Sequence, residues 1–281
     1  MKRFFLILTT LLFLLSGIFC GNSTYAEIIQ NEKSELIGLD LLQKDLMPKH
    51  ISFIADGNRR WATQNGLYTG QGHIIGAEKL IELIKFVLDK DLGIDYLSFF
   101  GFSTENWNRR KDEVEFLINV FCDFFDELPV RFKDYNIKIE TIGDITQFPE
   151  KMQQKVQYLK DNSSNDPDLT VIMALNYGGR EEIKRAFSKI LDDIEIGKIS
   201  KESISEKLIS RYLDTSHFPD PDLIIRTSGE IRVSNYLLWQ MAYSEFCFED
   251  VFWPDFSNQN LIDILLDFQS RDRRFGGNKN K

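Results

Sequence analysis

The chain has 281 residues, of which 43% are hydrophobic and 27% are charged, and its formal net charge is −9. This length suits one large globular domain or two small ones, and the composition excludes a disordered or fibrous protein. The acidic balance argues against a nucleic-acid surface, which needs a basic face, so we expect no nucleic-acid partner.

The first 26 residues have the layout of a secretory signal peptide. Lys2 and Arg3 precede an apolar run at 4–19, and small residues then lead to Ala26. An uncleaved anchor is the first alternative, although 16 residues are few for a membrane span, which needs about 20. A misassigned start is the second, with translation beginning at Met47. A signal or an anchor predicts membrane association and leaves open whether the protein is exported or faces the cytoplasm.

After a lead-in at 27–46 that is predicted to be flexible or weakly helical, short β-rich runs alternate with longer helical patterns. Strands are predicted at 51–55, 96–102, 137–142, 169–175, 223–226 and 246–252. Most of these runs are continuously apolar, as in strands that are buried on both faces. Amphipathic helices such as 76–90 separate them. The alternation predicts an α/β fold with a central, mostly parallel six-stranded sheet flanked by helices.

The helix predicted at 112–128 is apolar over most of its circumference. It contains Phe116, Phe121, Phe124 and Phe125 among other large apolar residues. A fully buried core helix would have this composition. The wall of an apolar pocket that holds a hydrophobic ligand would have it too.

Polar residues gather directly after four of the predicted strands. Asp-Gly-Asn-Arg-Arg-Trp at 56–61 follows the first, and Ser-Thr-Glu-Asn-Trp-Asn-Arg at 103–109 follows the second. Asn-Tyr-Gly-Gly-Arg at 176–180 follows the fourth, and Arg-Thr-Ser-Gly-Glu at 226–230 ends the fifth. Ligands of open parallel sheets bind beyond the carboxyl ends of the strands. These four loops are therefore predicted to converge on one site.

The charged residues of these loops indicate the chemistry of the ligand. Seven arginines fall in or beside the loops of this acidic chain: Arg59, Arg60, Arg109, Arg110, Arg180, Arg226 and Arg232. Guanidinium groups match phosphate oxygens in bidentate geometry, so a phosphate or diphosphate ligand is predicted in preference to a set of surface arginines. Asp56 and Glu245 are candidate ligands of Mg²⁺, which takes few protein carboxylates and completes its shell with phosphate and water.

Motifs of other phosphate-handling classes are missing from the sequence. No G-x-x-x-x-G-K-[ST] is present, which excludes a P-loop NTPase, and no G-x-G-x-x-G follows a strand. The nucleophilic aspartate of a haloacid-dehalogenase-type phosphatase would fall at Ile54. The D-D-x-x-D boxes of trans-prenyltransferases are also missing.

At its remaining motifs the chain resembles the cis-prenyltransferase family, whose bacterial type is undecaprenyl diphosphate synthase. The resemblance runs over 47–277 and leaves a tail at 278–281. Its signatures are the runs at 56–62, 72–73, 102–107, 176–180, 220–230, 234–240, 253–256 and 273–277. It implies a transferase that condenses isopentenyl diphosphate onto an allylic diphosphate such as farnesyl diphosphate, with Mg²⁺. A cis double bond and a polyprenyl diphosphate product would result, and the 112–128 helix would line an apolar tunnel.

The resemblance also implies a role for individual residues. Asp56 would be catalytic and bind the metal, with Glu245 as the second metal carboxylate. The allylic diphosphate would be bound by Gly57, Asn58, Arg59, Arg60, Trp61 and His73. The second substrate loop would comprise Ser103, Thr104, Glu105, Asn106, Trp107 and Arg109. The diphosphate of isopentenyl diphosphate would be bound by Arg226, Arg232 and Ser234.

Further features of the family have counterparts here. Asn106 is the position often assigned as proton acceptor, but an amide is a poor base, which favours a positioning role. Arg274 and Gly276 resemble an element that completes the neighbouring subunit's site in the family homodimer. Thr69 replaces a family arginine that contacts the allylic diphosphate, and Arg110 replaces a proline. A non-catalytic partner subunit and a lipid-diphosphate binding module are the rival functions. Product length cannot be read from the sequence.

Overall fold

The computed structural model describes residues 36–274, and its elements alternate along the chain between strands and helices. The strands are β1 (His50–Ile54), β2 (Tyr96–Ser103), β3 (Ile137–Ile142), β4 (Leu169–Tyr177), β5 (Leu223–Arg226) and β6 (Glu245–Phe248). The helices are α1 (Asn58–Gln64), α2 (Thr69–Asp89), α3 (Lys111–Arg131), α4 (Glu150–Asp161), α5 (Gly179–Glu195), α6 (Glu206–Tyr212) and α7 (Asn258–Ser270). Short 3₁₀ turns connect several of them, including Thr104–Asn108 and Trp253–Asp255.

The six strands form one parallel sheet in the order β3-β4-β2-β1-β5-β6, which confirms the predicted fold class. β1 lies between β2 and β5, with Ile54 beside Arg226 in the register. All carboxyl ends therefore meet at one edge of the sheet. This arrangement brings the loop after β1 next to the loop after β5, although the two are about 170 residues apart in the sequence.

The strands could be predicted from their apolar runs because their side chains are buried. Every residue of β1, β4 and β5 is buried, because helices cover both faces of the central strands. β6 differs from its prediction: it begins at Glu245 and ends at Phe248. After Phe248 the backbone still bonds to the loop after β5, with Ser228 N donating to Val251 O at 2.7 Å, but it no longer forms a ladder.

The residues just ahead of β1 are packed against the domain. Two 3₁₀ turns occupy Leu39–Leu41 and Lys44–Leu46. Gln43 exchanges hydrogen bonds with the side chain of Gln269 on α7 (3.2 and 3.0 Å), so this part of the lead-in corresponds to the weakly helical of the two predicted alternatives. The predicted signal or anchor at 1–26 and the tail at 278–281 lie outside the described residues. Within 36–274, no helix has both the length and the hydrophobicity to cross a membrane.

Candidate active site

A cavity of about 780 Å³ opens at the carboxyl edge of the sheet. Its wall includes eleven of the predicted site residues: Asp56, Gly57, Asn58, Arg59, Arg60, His73, Ser103, Asn106, Arg109, Arg226 and Ser234. The loops after β1, β2 and β5 supply most of them, as predicted. The loop after β4 does not line this cavity; Arg180 lies instead on a smaller adjacent cavity of about 280 Å³.

Asp56 occupies the centre of this arrangement. Its Oδ2 accepts a hydrogen bond from Arg226 Nη2 at 2.8 Å, and its Oδ1 accepts one from Gly57 N at 2.7 Å. Thr227 fixes its backbone, since the Thr227 hydroxyl accepts from Asp56 N and donates to Asp56 O. Gly57 has φ of 101°, and a Cβ there would lie 2.5 Å from the Phe252 ring. Glycine is therefore required for this turn.

Opposing effects act on the Asp56 carboxyl. Burial raises its pKa, but the hydrogen bonds from Arg226 and Gly57 and the charges of Arg226 and Arg60 outweigh burial and hold the pKa below its usual value. The carboxylate is therefore ionised at neutral pH and can bind a cation.

The arginines at the mouth are held in place by acidic residues. Glu113 Oε1 accepts from both Arg59 Nη1 (3.2 Å) and Arg109 Nη1 (3.0 Å), and so links α1 to the loop after β2. Arg60 donates to Ser228 Oγ (2.7 Å) and Glu230 Oε1 (2.8 Å) and stacks over Phe252. These guanidinium groups are pre-oriented, which reduces the entropic cost of binding an anion.

Three buried polar atoms on cavity residues have no hydrogen-bond partner in the described structure. They are Asn58 Oδ1, His73 Nε2 and Arg226 Nε. Native proteins rarely leave buried polar atoms unpaired unless a ligand or water satisfies them. Unpaired polar atoms beside the arginine cluster therefore fit a polar ligand group. Thr69 also lines this wall, together with Arg59, and supplies no charge there.

Two histidines with lowered pKa values predict how the free energy of unfolding depends on pH. Burial lowers the pKa of His50 and of His73 to about 4, with the Arg109 charge adding to the effect at His73. The unfolded chain binds protons on both near pH 6.5, so their contribution to stability is full above pH 6.5 and is lost as the pH falls toward 4. We expect unfolding by urea to show a loss of about 2 kcal/mol per histidine between pH 8 and pH 5. His50→Gln and His73→Gln should each remove about half of this loss of unfolding free energy. A wild-type stability that does not change between pH 8 and pH 5 would contradict the prediction.

The loop after β2 contributes Ser103 and Asn106 to the cavity, but Glu105 and Trp107 face away from it. Trp107 packs on Phe102 and donates from its indole Nε1 to Asn176 Oδ1 at 2.8 Å. Glu105 accepts from Asn235 Nδ2 at 3.0 Å. These two residues support the loop in this structure, and Thr104 is likewise not part of the cavity wall.

The loop after β5 is organised by Arg226, which is 3% exposed. Its Nη1 donates to Arg232 O (2.6 Å) and Ser234 Oγ (2.7 Å). The Arg232 side chain pairs with Glu230 beside the mouth and does not line the cavity. Trp61 is also outside the wall: it is buried and donates to Asp255 Oδ1 at 2.6 Å.

Glu245 does not lie near Asp56 within the chain. It begins β6 and pairs with Leu223, the first residue of β5, whereas Asp56 follows the opposite ends of the strands. Its Oε2 accepts from Arg271 Nη1 at 3.0 Å. The prediction that both carboxylates bind one metal is therefore not met in a single subunit. Within 36–274, no three His, Cys, Asp or Glu residues converge in a metal-binding arrangement.

The interior part of the cavity is apolar. α2, α3 and the sheet surround it with Leu80, Phe99, Phe100, Leu117, Val120, Phe121, Phe124 and Met173. Phe116 and Phe125 are not in the wall: Phe116 packs edge-on against Tyr68, and Phe125 is 2% exposed and packs against Phe121 and Phe124. The Phe-rich helix is therefore pocket wall at some of its phenylalanines and core at others.

Four further residues hold the site together: Glu113, Asn176, Thr227 and Asn235. The last three lie in motif runs of the sequence but had no role assigned to them there, and Glu113 was missed. Thr227 and Asn235 stand beside predicted site residues, so their position in the loop was the available signal. Nothing in the local sequence indicates that Glu113 contacts Arg59, because that contact depends on how α1 and α3 each pack against α2.

Comparison with known proteins agrees with this geometry. Residues 54–276 match the Prenyltransf family model, described as undecaprenyl diphosphate synthase. The chain is 43% identical over 249 residues to an isoprenyl transferase of Clostridium perfringens (89% of this chain, 96% of that protein). It is 44% identical over 231 residues to the (2E,6E)-farnesyl-diphosphate-specific ditrans,polycis-undecaprenyl-diphosphate synthase of Micrococcus luteus (82% and 92%). Lavandulyl diphosphate synthase from Lavandula x intermedia, solved with dimethylallyl diphosphate, superposes with a TM-score of 0.78 at 35% identity (83% and 99%). The chain therefore belongs to the undecaprenyl diphosphate synthase family of cis-prenyltransferases.

Proposed function

We propose that this chain condenses isopentenyl diphosphate onto an allylic diphosphate such as farnesyl diphosphate, forming a cis double bond and a polyprenyl diphosphate. One observation carries this proposal: a single cavity combines an arginine-rich mouth with an apolar interior. A substrate with a diphosphate head and a hydrocarbon tail matches both parts.

The two diphosphates are assigned to different elements around Asp56. Asn58, Arg59, Arg60 and His73, on α1 and α2, would bind the allylic diphosphate, because the unpaired atoms of Asn58 and His73 belong to this set. Arg226 and Ser234 would bind isopentenyl diphosphate, with Arg232 beside them. The hydrocarbon tail of the allylic substrate would extend between α2, α3 and the sheet.

The residues present fit Mg²⁺. Asp56 is the sole carboxylate among the described residues of the cavity wall, and it is ionised and partly exposed. Magnesium in such sites uses one or two carboxylates together with phosphate oxygens. When bound, the ion would neutralise charge on the departing diphosphate. Arg60 and Arg226, which both contact Asp56, would stabilise the same charge.

The reaction replaces one bond at C1 of the allylic substrate by another. The C1–O bond of the allylic substrate breaks, C1 bonds to C4 of isopentenyl diphosphate, and a proton leaves C2 as the new double bond forms. Asn106 Oδ1 already accepts from Ser103 N at 3.1 Å, which leaves its Nδ2 to donate to a substrate oxygen. Asn106 would therefore orient the substrate, and a diphosphate oxygen would accept the proton.

We infer a homodimer from the family resemblance, and the C-terminal residues support it. Arg273 donates to Asp222 Oδ1 at 2.8 Å, just ahead of β5 and at the edge opposite the cavity mouth. The backbone that leads to Arg274 therefore lies far from this subunit's own cavity. This position is expected if the element formed by Arg274 and Gly276 completes the site of a neighbouring subunit. Gly276 lies outside the described residues. We also propose membrane association, through the apolar product or the N-terminal segment, which co-sedimentation of the full chain with lipid vesicles would test.

The test of function is an assay of the purified chain with labelled isopentenyl diphosphate, farnesyl diphosphate and Mg²⁺. We expect label in a butanol-extractable polyprenyl diphosphate, cis double bonds by NMR, and loss of turnover with EDTA. Binding of farnesyl diphosphate without turnover would identify a lipid-diphosphate binding module. Turnover only after adding a second, different chain would identify a non-catalytic partner subunit.

Phe121 and Phe125 provide a matched test of the tunnel. The rings are 6.1 Å apart on one face of α3, and only Phe121 lines the cavity. Phe125→Ala should destabilise the fold by about 3–5 kcal/mol, the cost of a large core cavity, and leave product length unchanged. Phe121→Ala should destabilise less and lengthen the product, because it enlarges space that already exists. Urea unfolding and chromatography of the products would check this; identical products from both variants would reject a role of Phe121 in setting product length.

A further inference from the structure

Asn235 joins three of the loops at the carboxyl edge of the sheet. Its side-chain Nδ2 donates to Glu105 Oε1 at 3.0 Å, in the loop after β2. Its Oδ1 accepts from Arg180 N at 2.9 Å, and its backbone oxygen accepts from Gly179 N at 2.7 Å, at the start of α5. Asn235 itself belongs to the loop after β5. Its three hydrogen bonds therefore use both oxygens and the side-chain amide nitrogen of the residue.

The local backbone is built for this contact. Asn235 and Ser234 both have positive φ, 63° and 50°. Asn and Asp are among the few non-glycine residues that adopt this conformation readily. A Cβ at Gly178 would lie 2.7 Å from Asn235 Nδ2 and 2.6 Å from Thr104 Oγ1, so glycine at 178 allows the loops to approach.

Two of the bonded loops carry a residue assigned to substrate. Ser234, next to Asn235, accepts from Arg226 and lines the cavity on the side assigned to isopentenyl diphosphate. Asn106, next to Glu105, lines the same cavity from the loop after β2. The Asn235–Glu105 bond is therefore a direct connection between two substrate loops that are 130 residues apart.

We propose that Asn235 is a positioning residue that couples the two substrate subsites through Glu105. This inference rests on the proposed function. Isopentenyl diphosphate on Ser234 and Arg226 would restrain Asn235, which in turn would fix Glu105 and the loop after β2. The same loop carries Arg109, which shares Glu113 with Arg59 of the allylic subsite, so the restraint reaches the second substrate. Binding of either substrate would then favour binding of the other, and the coupling must be reciprocal.

An exchange of donor and acceptor tests the connection. Asn235→Asp retains the acceptor for Arg180 N and tolerates the backbone conformation, but it places a carboxylate against Glu105. Glu105→Gln alone keeps an oxygen that Asn235 Nδ2 can reach. In the double variant Asn235→Asp/Glu105→Gln, the new amide at position 105 can donate to the new carboxylate at position 235. The bond is thereby restored with its direction reversed, and the total charge equals that of the wild type.

The measured quantities are KM for each substrate, and the affinity for isopentenyl diphosphate with and without an unreactive thiolodiphosphate analogue of farnesyl diphosphate. We expect Asn235→Asp to raise KM for isopentenyl diphosphate about tenfold, the effect of losing one hydrogen bond to a charged group, and to abolish the tightening by the analogue. Glu105→Gln should change KM about twofold or less. The double variant should recover both KM and the tightening.

Asn136→Asp is the matched control, because the Asn136 side chain also donates a hydrogen bond to a neighbouring loop, to Asp166 O at 2.5 Å. Asn136 directly precedes β3 and lies away from the cavity. It should leave both KM values unchanged. The inference would be overturned if Asn235→Asp kept the wild-type coupling between the two substrates. It would also be overturned if the double variant recovered neither KM nor the tightening relative to Asn235→Asp. Failure of the proposed function is distinct, because the wild-type chain would then show no turnover at all.

Discussion

Asp56→Ala is expected to lower kcat by about three orders of magnitude, because it removes the carboxylate that would bind the metal at the reacting diphosphate. The measurement is single-turnover condensation with both substrates saturating, over a range of Mg²⁺ concentrations. Asp56→Asn should lose activity to a similar extent, since an amide is a weak ligand for Mg²⁺. Activity within tenfold of the wild type in either variant would refute the assignment.

The structure adds a stability effect to this prediction. Arg226 is buried and depends on Asp56 for one of its hydrogen bonds, so Asp56→Ala should also cost about 1–3 kcal/mol of folding free energy. Asp214→Asn is the matched control. Asp214 binds Arg185 through two hydrogen bonds of 2.8 and 2.6 Å and lies outside the cavity wall. The control should lose stability and keep kcat, which separates the two effects.

Arg226→Lys is expected to lower kcat/KM for isopentenyl diphosphate about a hundredfold, a loss of roughly 2.7 kcal/mol in transition-state stabilisation. The guanidinium reaches Asp56 Oδ2, Arg232 O and Ser234 Oγ at 2.6–2.8 Å with two of its nitrogens. A lysine ammonium is a single point and cannot span these acceptors. The loop that carries Ser234 should therefore lose its support, and steady-state kinetics with varied isopentenyl diphosphate should show a raised KM.

The pH profile of the same variant is a second measurement. Arg226 is a main cause of the low pKa of Asp56, acting against burial. Removing the guanidinium should raise that pKa, so the acid limb of the rate profile should move to higher pH. Arg185→Lys, which alters the Asp214 pair away from the cavity, should leave the acid limb in place. An unchanged KM and an unchanged acid limb in Arg226→Lys would contradict both roles of Arg226.

The strands and the loops that follow them could be predicted because each depends on short stretches of sequence. A run such as Leu169–Tyr177 is apolar at nearly every position, and burial on both faces of a parallel sheet requires this composition. The placement of Asp56, Ser103 and Arg226 at one edge follows from the parallel sheet alone. The strand order did not follow, because it depends on which apolar surfaces pack together.

The predicted site and the observed cavity differ because the sequence shows neither which way a side chain points nor how far apart two residues lie in the fold. Glu245 and Asp56 are both carboxylates, and both were predicted to bind the metal. In the structure Glu245 is the first residue of β6, whereas Asp56 comes after the last residue of β1. The two therefore lie at opposite edges of the parallel sheet within the chain. Trp107 and Glu105 lie in the correct loop and point away from the cavity. A sequence motif does not specify which side of a short 3₁₀ turn faces a ligand, because that depends on Asn176 of β4 and on Asn235 of the loop after β5.

The sequence by itself determined the fold class, the family and the edge of the sheet that carries the site, because hydrophobic patterns and loop motifs are local. Only the tertiary structure decided which arginines line the cavity and which phenylalanines of α3 face it. It also showed that Asn235 connects the loops after β2, β4 and β5. Those properties depend on contacts between residues far apart in the chain, such as Asp56 with Arg226 and Glu105 with Asn235, and the order of the strands in the sheet brings the loops that carry them together.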